Sequence, residues 1–287
     1  MNVRERILIP CRSNRTRMLE NIGYSPIQAP GDVAANQVLT MHVLQPWELS
    51  SSMPAIVWIP GGGWVTSRKD IDIPQLIPYV HFGFTVFAIS YRTSGTALFP
   101  AQLIDVKTAI RYIRSHAEMW HVDPGRIAAM GQSAGGHLAA LMGTTGHLQE
   151  FDGTEWAGVS NTVQAVVEFF GPTDLWRLLT DPSSLDWSAG HSFAGCLLGG
   201  TLADRLEDAA RASPITYVSP HASPFWMAHG EVNDWVSREH SQYLYEALTR
   251  VGVTVAYYEI EQAGHGTDES YQPEVVELAA DFSTGVM

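Results

Sequence analysis

Cysteine is nearly absent from this chain. Of its 287 residues only two are cysteines, Cys11 and Cys196, and they lie far apart in the sequence without a C-x-x-C partner. Such spacing excludes a dense disulfide framework, which small secreted domains use to replace a hydrophobic core. Two free thiols in a reducing compartment are the expected state, and a single long-range bridge between the two residues is the alternative.

Positive charge is also scarce. Seventeen Lys and Arg residues stand against thirty Asp and Glu residues, which gives a formal net charge of −13 at pH 7. Binding to nucleic acid or to an anionic membrane requires positive surface that displaces counterions. The composition therefore argues against both partners. A small molecule is the expected partner, and homo-oligomerisation is left open.

Long apolar runs are missing. No segment reaches the roughly 18 apolar residues that a membrane span requires, and residues 1–6 are not followed by an apolar core of signal-peptide length. Hydrophobic residues nevertheless make up 45% of the chain and charged residues 16%, which is typical of a globular protein. We expect a cytoplasmic protein with no membrane span.

Short apolar runs alternate with helical periods from about residue 54 to the end. Unbroken runs of this length are typical of strands that are covered on both faces of a parallel sheet. They lie at 55–59, 84–89, 127–130, 163–170, 225–228 and 253–260. Amphipathic helices are predicted at 103–113, at 244–251 and from Pro273 onward. The fold class is thus α/β, with a mostly parallel sheet and helices on both faces.

The N-terminal part of the chain and one internal segment do not follow this alternation. Residues 38–44 alternate like a strand and residues 6–9 do so more weakly, so both are assigned to an antiparallel edge, whereas 11–36 is rich in turns and has no clear assignment. Between 170 and 224 the alternation lapses, although large apolar residues persist. This insertion is interpreted as a cap or pocket wall within a single domain spanning 1–287.

Gly131-Gln132-Ser133-Ala134-Gly135 fits the pattern G-x-S-x-G. The pentapeptide follows the predicted strand 127–130 and precedes a helical run, which is the setting of a nucleophile elbow. At the start of a helix, the Ser133 oxygen would meet a dipole that favours developing negative charge. Ser133 is therefore the candidate nucleophile; an ordinary tight strand–helix turn is the alternative.

A serine nucleophile needs a base and an orienting acid, which follow it in the order Ser, acid, His in this architecture. His265 lies between glycines in the loop after the last predicted strand, so it is the candidate base. Asp234, in the loop after strand 225–228, is the candidate acid, and Glu231 and Asp268 are nearby alternatives. Elsewhere, His137 is expected to be a packing or surface residue, and His229 a group that supports the acid.

A glycine loop follows the first central strand. Pro60-Gly61-Gly62-Gly63-Trp64 stands where an oxyanion-hole loop is expected, and Gly62 and Gly63 are the candidate N–H donors with Ala134 as the third. The alternative is a merely flexible loop. Five aromatic residues are expected near the site, although each is individually more typical of packing: Trp64, Trp176, Trp187, Phe193 and Trp235.

Taken together, these motifs resemble the α/β-hydrolase esterases of the hormone-sensitive-lipase-like and bacterial feruloyl and acetyl-xylan esterase-like group. The resemblance covers most of residues 54–270 and is strongest at 99–106, 123–127, 131–139, 213–215 and 229–234. It implies an H-G-x-x-D arrangement for the acid, which is assigned to Asp234. The sequence departs from the group at Pro60, where many relatives carry histidine.

The resemblance implies a serine carboxylesterase that forms an acyl-enzyme on Ser133, acts on a small-molecule ester and needs no cofactor. An amidase or arylformamidase using the same residues is the alternative, since Gly63-Trp64 resembles the arylformamidases. A binding protein that keeps the fold is a third hypothesis. Such proteins usually lose a catalytic residue, and candidates for all three are present here.

Overall fold

An eight-stranded sheet forms the centre of the computed structural model, which describes residues 15–26, 38–50 and 52–287. The strand order is β1-β2-β4-β3-β5-β6-β7-β8. β1 pairs with β2 and β2 with β4 in antiparallel fashion, and every other pair is parallel. The strands are β1 (Thr16–Pro26), β2 (Val38–Pro46), β3 (Met53–Ile59), β4 (Thr85–Ile89), β5 (Val122–Gln132), β6 (Ala165–Phe169), β7 (Phe225–Gly230) and β8 (Val255–Ile260).

The parallel strands are hydrophobic on both sides because helices cover both faces of the sheet. The seven α-helices are α1 (Ile73–His81), α2 (Ala101–Ser115), α3 (Ala134–Thr145), α4 (Phe193–Leu198), α5 (Leu206–Arg211), α6 (Glu239–Arg250) and α7 (Pro273–Val286) within the described ranges. The buried faces of α2, α3 and α6 share one hydrophobic cluster with the sheet, and those of α1 and α7 share a second. The predicted α/β fold class is confirmed.

Individual elements follow the sequence pattern closely. The predicted face of α2, with Leu103, Val106, Ile110 and Ile113, is completely buried. α7 begins at Pro273 as predicted. Of the residues that the sequence pattern assigns to its buried side (Val275, Leu278, Ala279 and Phe282), Ala279 is buried, whereas Leu278 is 42% exposed and Val276 is buried instead.

The N-terminal edge differs most from the prediction. β1 occupies residues that appeared rich in turns, and it bends around two register shifts in its pairing with β2. Irregular pairing of this kind interrupts the alternation of apolar and polar residues that identifies a strand. The strand predicted at 6–9 lies outside the described residues, as does Cys11. Cys196 is a free thiol.

The segment between β6 and β7 contains α4, α5 and three short 3₁₀ helices, the first at Arg177–Thr180. Leu175, Trp187 and Leu197 are buried in the same cluster as α2 and α3. The segment is therefore packed onto the domain by its apolar side chains.

Among the helices that the structure describes, none combines the length and the apolar character that crossing a bilayer would require. The cytoplasmic location expected from the sequence stays a prediction.

Candidate active site

Ser133 lies at the sharp turn between β5 and α3. Its backbone φ is +53°, a left-handed conformation that is rare for a residue with a side chain. The turn requires glycine on both sides: a Cβ atom on Gly131 would come within 2.4 Å of the Gly135 oxygen, and one on Gly135 within 1.9 Å of the Ile59 oxygen. The G-x-S-x-G pattern thus forms a strained elbow that presents the serine hydroxyl at the N-terminus of α3.

His265 contacts this hydroxyl directly. Its Nε2 atom lies 2.9 Å from the Ser133 Oγ atom, although the two residues are far apart in the chain. The imidazole ring stacks on Trp235 with 5.1 Å between ring centroids and meets the edge of Phe170 at 4.9 Å. These two aromatic side chains fix the plane of the ring. The structure therefore brings the predicted nucleophile and the predicted base together.

The surroundings of His265 keep its ring neutral. Burial lowers the pKa of His265 to about 4, an effect that the negative charge of Asp234 partly opposes. A neutral imidazole carries one lone pair, so it is able to accept a proton from Ser133 if its other nitrogen holds the hydrogen. The partner of Nδ1 decides that arrangement.

Asn233 is that partner. Its Oδ1 atom lies 3.2 Å from His265 Nδ1 and also accepts hydrogen bonds of 3.1 Å from the backbone N–H groups of Trp235 and Val236. Two backbone donors aimed at one amide atom identify that atom as the oxygen. Oδ1 therefore accepts from His265 Nδ1–H, which leaves the Nε2 lone pair facing Ser133.

The structure corrects the predicted partner of the base. Asp234 is exposed, and in the described part of the chain no hydrogen bond joins its carboxylate to His265; its backbone oxygen accepts a hydrogen bond from Ser184 N at 2.5 Å. Counted from His229, the acidic position of H-G-x-x-D falls on Asn233 rather than on Asp234. Oδ1 of Asn233 caps the turn that follows, which directs Asn233 inward and leaves the next side chain in solvent.

Neither alternative carboxylate takes this place. Glu231 is exposed and accepts a 3.2 Å hydrogen bond from the Gln262 backbone N–H. Asp268 begins a short 3₁₀ helix, Asp268–Tyr271, and lines the cavity in front of Ser133. Asp234 still acts on the site through its charge, since it raises the pKa of His265 against the effect of burial.

The glycine loop after β3 lies beside Ser133. Gly62 and Gly63 have φ values of +120° and +59°, so this backbone path favours glycine at both positions. The loop is held at two points: Tyr91 Oη donates to the Pro60 oxygen at 3.0 Å, and Trp64 Nε1 donates to His137 Nδ1 at 3.2 Å. These two hydrogen bonds hold the loop in this chain, which has Pro60 at the position where many esterases of the group that it resembles have a histidine.

His137 holds the loop from inside α3. Its Nε2 atom lies 2.6 Å from the Ala212 oxygen, to which it donates, and its other nitrogen accepts from Trp64. Burial lowers the pKa of His137 to about 4, so the ring is neutral and keeps one donor and one acceptor. His137, which the sequence analysis assigned to packing or to the surface, thus links α3 to the glycine loop.

The elbow and the glycine loop open into one cavity of about 610 Å³. Ser133, His265 and the three predicted oxyanion donors line it. Of the five aromatic residues expected near the site, four are in the wall, and Trp176 is a largely exposed residue outside it. Leu185, Trp187 and Phe193 come from the segment between β6 and β7, which thereby forms part of the wall.

This sheet, elbow and loop define an α/β-hydrolase. Solved structures share the fold: a truncated carbohydrate esterase from gut microbiota superposes with a TM-score of 0.84 at 24% identity over 96% of this chain and 98% of that one. A thermophilic esterase of Thermogutta terrifontis, Est2 with propionate bound, gives a TM-score of 0.76 at 25% identity over 93% and 94%.

Sequence comparison identifies the family. The BD-FAE family model matches residues 41–248, and the chain belongs to this family. The esterase LipC of Mycobacterium tuberculosis is 32% identical over 218 residues, which are 75% of this chain and 53% of LipC. The probable carboxylic ester hydrolase LipM of the same organism is 30% identical over 251 residues, 83% of this chain and 56% of LipM. The chain thus spans about half the length of these curated relatives.

Proposed function

We propose that the protein hydrolyses carboxylic esters through an acyl-enzyme formed on Ser133. The observation that carries the proposal is the 2.9 Å contact between Ser133 Oγ and His265 Nε2 at an elbow that opens into the cavity. A hydroxyl is a weak nucleophile until a base removes its proton, and this contact supplies the base. Relatives named as esterases support the same reaction.

The first half of the reaction acylates the serine. His265 accepts the Ser133 proton at Nε2 while Oγ attacks the ester carbonyl, which produces a tetrahedral intermediate with a negatively charged oxygen. The backbone N–H groups of Gly62, Gly63 and Ala134 are the proposed donors to that oxygen. His265 then passes its proton to the leaving alcohol, and the acyl group stays on Ser133.

The second half releases the acid. His265 takes a proton from a water molecule, which attacks the acyl carbonyl, and the intermediate collapses with return of that proton to Ser133. Throughout, Asn233 Oδ1 holds His265 in the tautomer with hydrogen on Nδ1. A neutral amide performs this orienting role without offering the negative charge that an aspartate would place beside the imidazolium.

Replacement of the nucleophile tests the proposal. Ser133→Ala should lower turnover of p-nitrophenyl acetate by at least about 10³-fold and abolish labelling by a fluorophosphonate probe. Ser184→Ala, which changes an exposed side chain that does not line the cavity, is the matched control and should retain both. Wild-type levels of turnover in Ser133→Ala would refute the assignment.

A pair of substrates distinguishes ester hydrolysis from the amidase alternative. A p-nitrophenyl ester and the anilide with the same acyl group differ only in the leaving group, so their kcat/KM ratio reports the preferred bond. We expect the ester to be favoured; a preference for the anilide would reassign the protein to the amidases.

A further inference from the structure

We propose that Glu168, Ser241 and His229 form a buried relay that controls Asn233, so that ionisation of Glu168 increases the activity of the Ser133–His265 pair. This inference rests on the function proposed above. It assigns positioning roles to three residues that touch neither the nucleophile nor the cavity.

A continuous chain of contacts runs from β6 to the nucleophile. Ser241 Oγ lies 3.4 Å from Glu168 Oε2 and 2.8 Å from His229 Nδ1. On the other side of the imidazole, His229 Nε2 lies 3.2 Å from Asn233 Nδ2, and Asn233 Oδ1 contacts His265. Glu168, Ser241 and His229 have no exposed surface. Bulk solvent therefore does not reach these three side chains, and the hydrogen bonds among them set the positions of their protons.

The chain has two proton arrangements, and His229 Nε2 bonds a different neighbour in each: Asn233 Nδ2 at 3.2 Å in one and the Val236 oxygen at 2.9 Å in the other. With Glu168 ionised, Ser241 donates to Glu168 and accepts from His229 Nδ1–H. His229 Nε2 then carries a lone pair that accepts a hydrogen bond from Asn233 Nδ2. In this arrangement the amide of Asn233 is held at both ends, by His229 and by the backbone donors of Trp235 and Val236.

With Glu168 protonated, the hydrogen bonds reverse. Glu168 donates to Ser241, Ser241 donates to His229 Nδ1, and Nε2–H of His229 donates to the Val236 oxygen at 2.9 Å. Two donors, His229 Nε2–H and the amide of Asn233, then face each other at 3.2 Å. One buried bond of Asn233 is lost, and the orientation of His265 is weakened with it.

The buried carboxyl titrates in an accessible range. Burial raises the pKa of Glu168 to about 8, partly opposed by a hydrogen bond from the Gly171 backbone N–H. His229 changes tautomer without gaining charge, because burial lowers its pKa to about 3. His265 is already neutral across this range, since its pKa is about 4.

Burial moves the pKa values of three neighbouring groups, Tyr257, His240 and His137, away from the range between pH 7 and 9. On β8, burial raises the pKa of Tyr257 well above its ordinary value. On α6, burial lowers the pKa of His240, and Arg238, which precedes the helix, pairs with Glu259 at 3.1 Å. His137 on α3 is neutral, with a pKa of about 4. A step in activity near pH 8 would therefore be assigned to Glu168.

The experiment measures kcat/KM for p-nitrophenyl acetate from pH 6 to 9.5, corrected for spontaneous hydrolysis. Wild type should rise about five-fold through pH 8, which corresponds to about 1 kcal/mol, the net value of one hydrogen bond. Glu168→Gln should remain at the low plateau without the step, because the amide nitrogen of Gln donates to Ser241 as protonated Glu168 does. The exposed Glu246→Gln on α6 is the matched control and should keep the step.

Two further measurements distinguish the proposed relay from a purely structural role of Glu168, Ser241 and His229. Asn233→Asp should lose or invert the step, because a carboxylate oxygen accepts from His229 Nε2–H and so favours the opposite tautomer. In wild type labelled with ¹⁵N-histidine, the hydrogen of His229 should move from Nε2 to Nδ1 with a midpoint near pH 8. A fixed tautomer, or a step that persists in Glu168→Gln, would overturn the relay. If the wild-type protein does not hydrolyse the ester at any pH, the proposed function itself is refuted.

Discussion

Asn233 concentrates three donors on one amide oxygen: the backbone N–H groups of Trp235 and Val236 and the imidazole of His265. The turn after β7 fixes the two backbone donors. If the amide of Asn233 flipped, its NH₂ group would face these two N–H groups, and no hydrogen bond would form. The orientation of His265 thus derives from a turn, and from the aromatic rings of Trp235 and Phe170 on either side.

Alanine at positions 233 and 234 should have very different effects. Asn233→Ala removes the acceptor of His265 Nδ1–H, so we expect kcat to fall by about 10²-fold, less than the roughly 10⁴-fold loss known where a partner imposes the wrong tautomer. Asp234→Ala removes only an exposed charge and should change kcat by less than about three-fold at 0.15 M salt. Steady-state kinetics on both variants decides the point. A larger loss in Asp234→Ala would restore that residue as the acid.

At the level of elements, the site is assembled where β3, β5, β7 and β8 end at the same edge of the sheet. The glycine loop after β3 is attached to its surroundings by Tyr91, which follows β4, and by His137 within α3. Backbone donors stabilise an oxyanion only if they are held in place before the reaction begins. The two attachments supply that rigidity.

Tyr91→Phe tests the attachment. The variant leaves the buried Pro60 oxygen without its hydroxyl donor, so the free energy of unfolding should fall by about 1 kcal/mol. Because the loop would lose one fixed point, kcat should decrease several-fold with little change in KM. Denaturant unfolding and steady-state kinetics measure the two effects. Tyr258→Phe on β8 is the control, and an unchanged kcat in Tyr91→Phe would show that the loop is rigid without this bond.

The sequence predicted those elements whose signal is local. The apolar runs identified the parallel strands, and glycines around Ser133 identified the elbow, since both depend on neighbouring residues only. The attachments to Tyr91 and His137 join residues 31 and 73 positions apart, so no local pattern contains them. The choice between Asn233 and Asp234 depended on the direction in which two adjacent side chains leave a turn, which strand and helix patterns do not specify.

Across the whole molecule, burial shifts several titratable groups in opposite directions. Burial lowers the pKa of His137 to about 4 and of His229 to about 3, whereas it raises the pKa of Glu168 to about 8. All three are completely buried. Each shift makes the stability of the fold depend on pH, because the unfolded chain binds protons with ordinary affinity.

Stability should therefore be greatest near pH 6.5. Below pH 6.5 the unfolded chain protonates histidines that stay neutral when folded, which costs about 2 kcal/mol at pH 5 for each of His137 and His229. Glu168 acts oppositely: its contribution is complete below pH 4.5 and is lost as the pH rises through about 8. Urea unfolding at several pH values measures the curve. Glu168→Gln should be more stable than wild type at pH 8; equal stability would contradict the raised pKa.

The donors around Asn233 Oδ1 would serve a carboxylate oxygen equally well, and His229 Nε2 lies where a second carboxylate oxygen would find a donor. Asparagine and aspartate have the same shape and their codons differ by a single base. A single base change therefore replaces Asn233 by aspartate and gives His265 a charged partner. Under selection for faster turnover from a random library of this gene, Asn233→Asp should be among the first substitutions to be enriched.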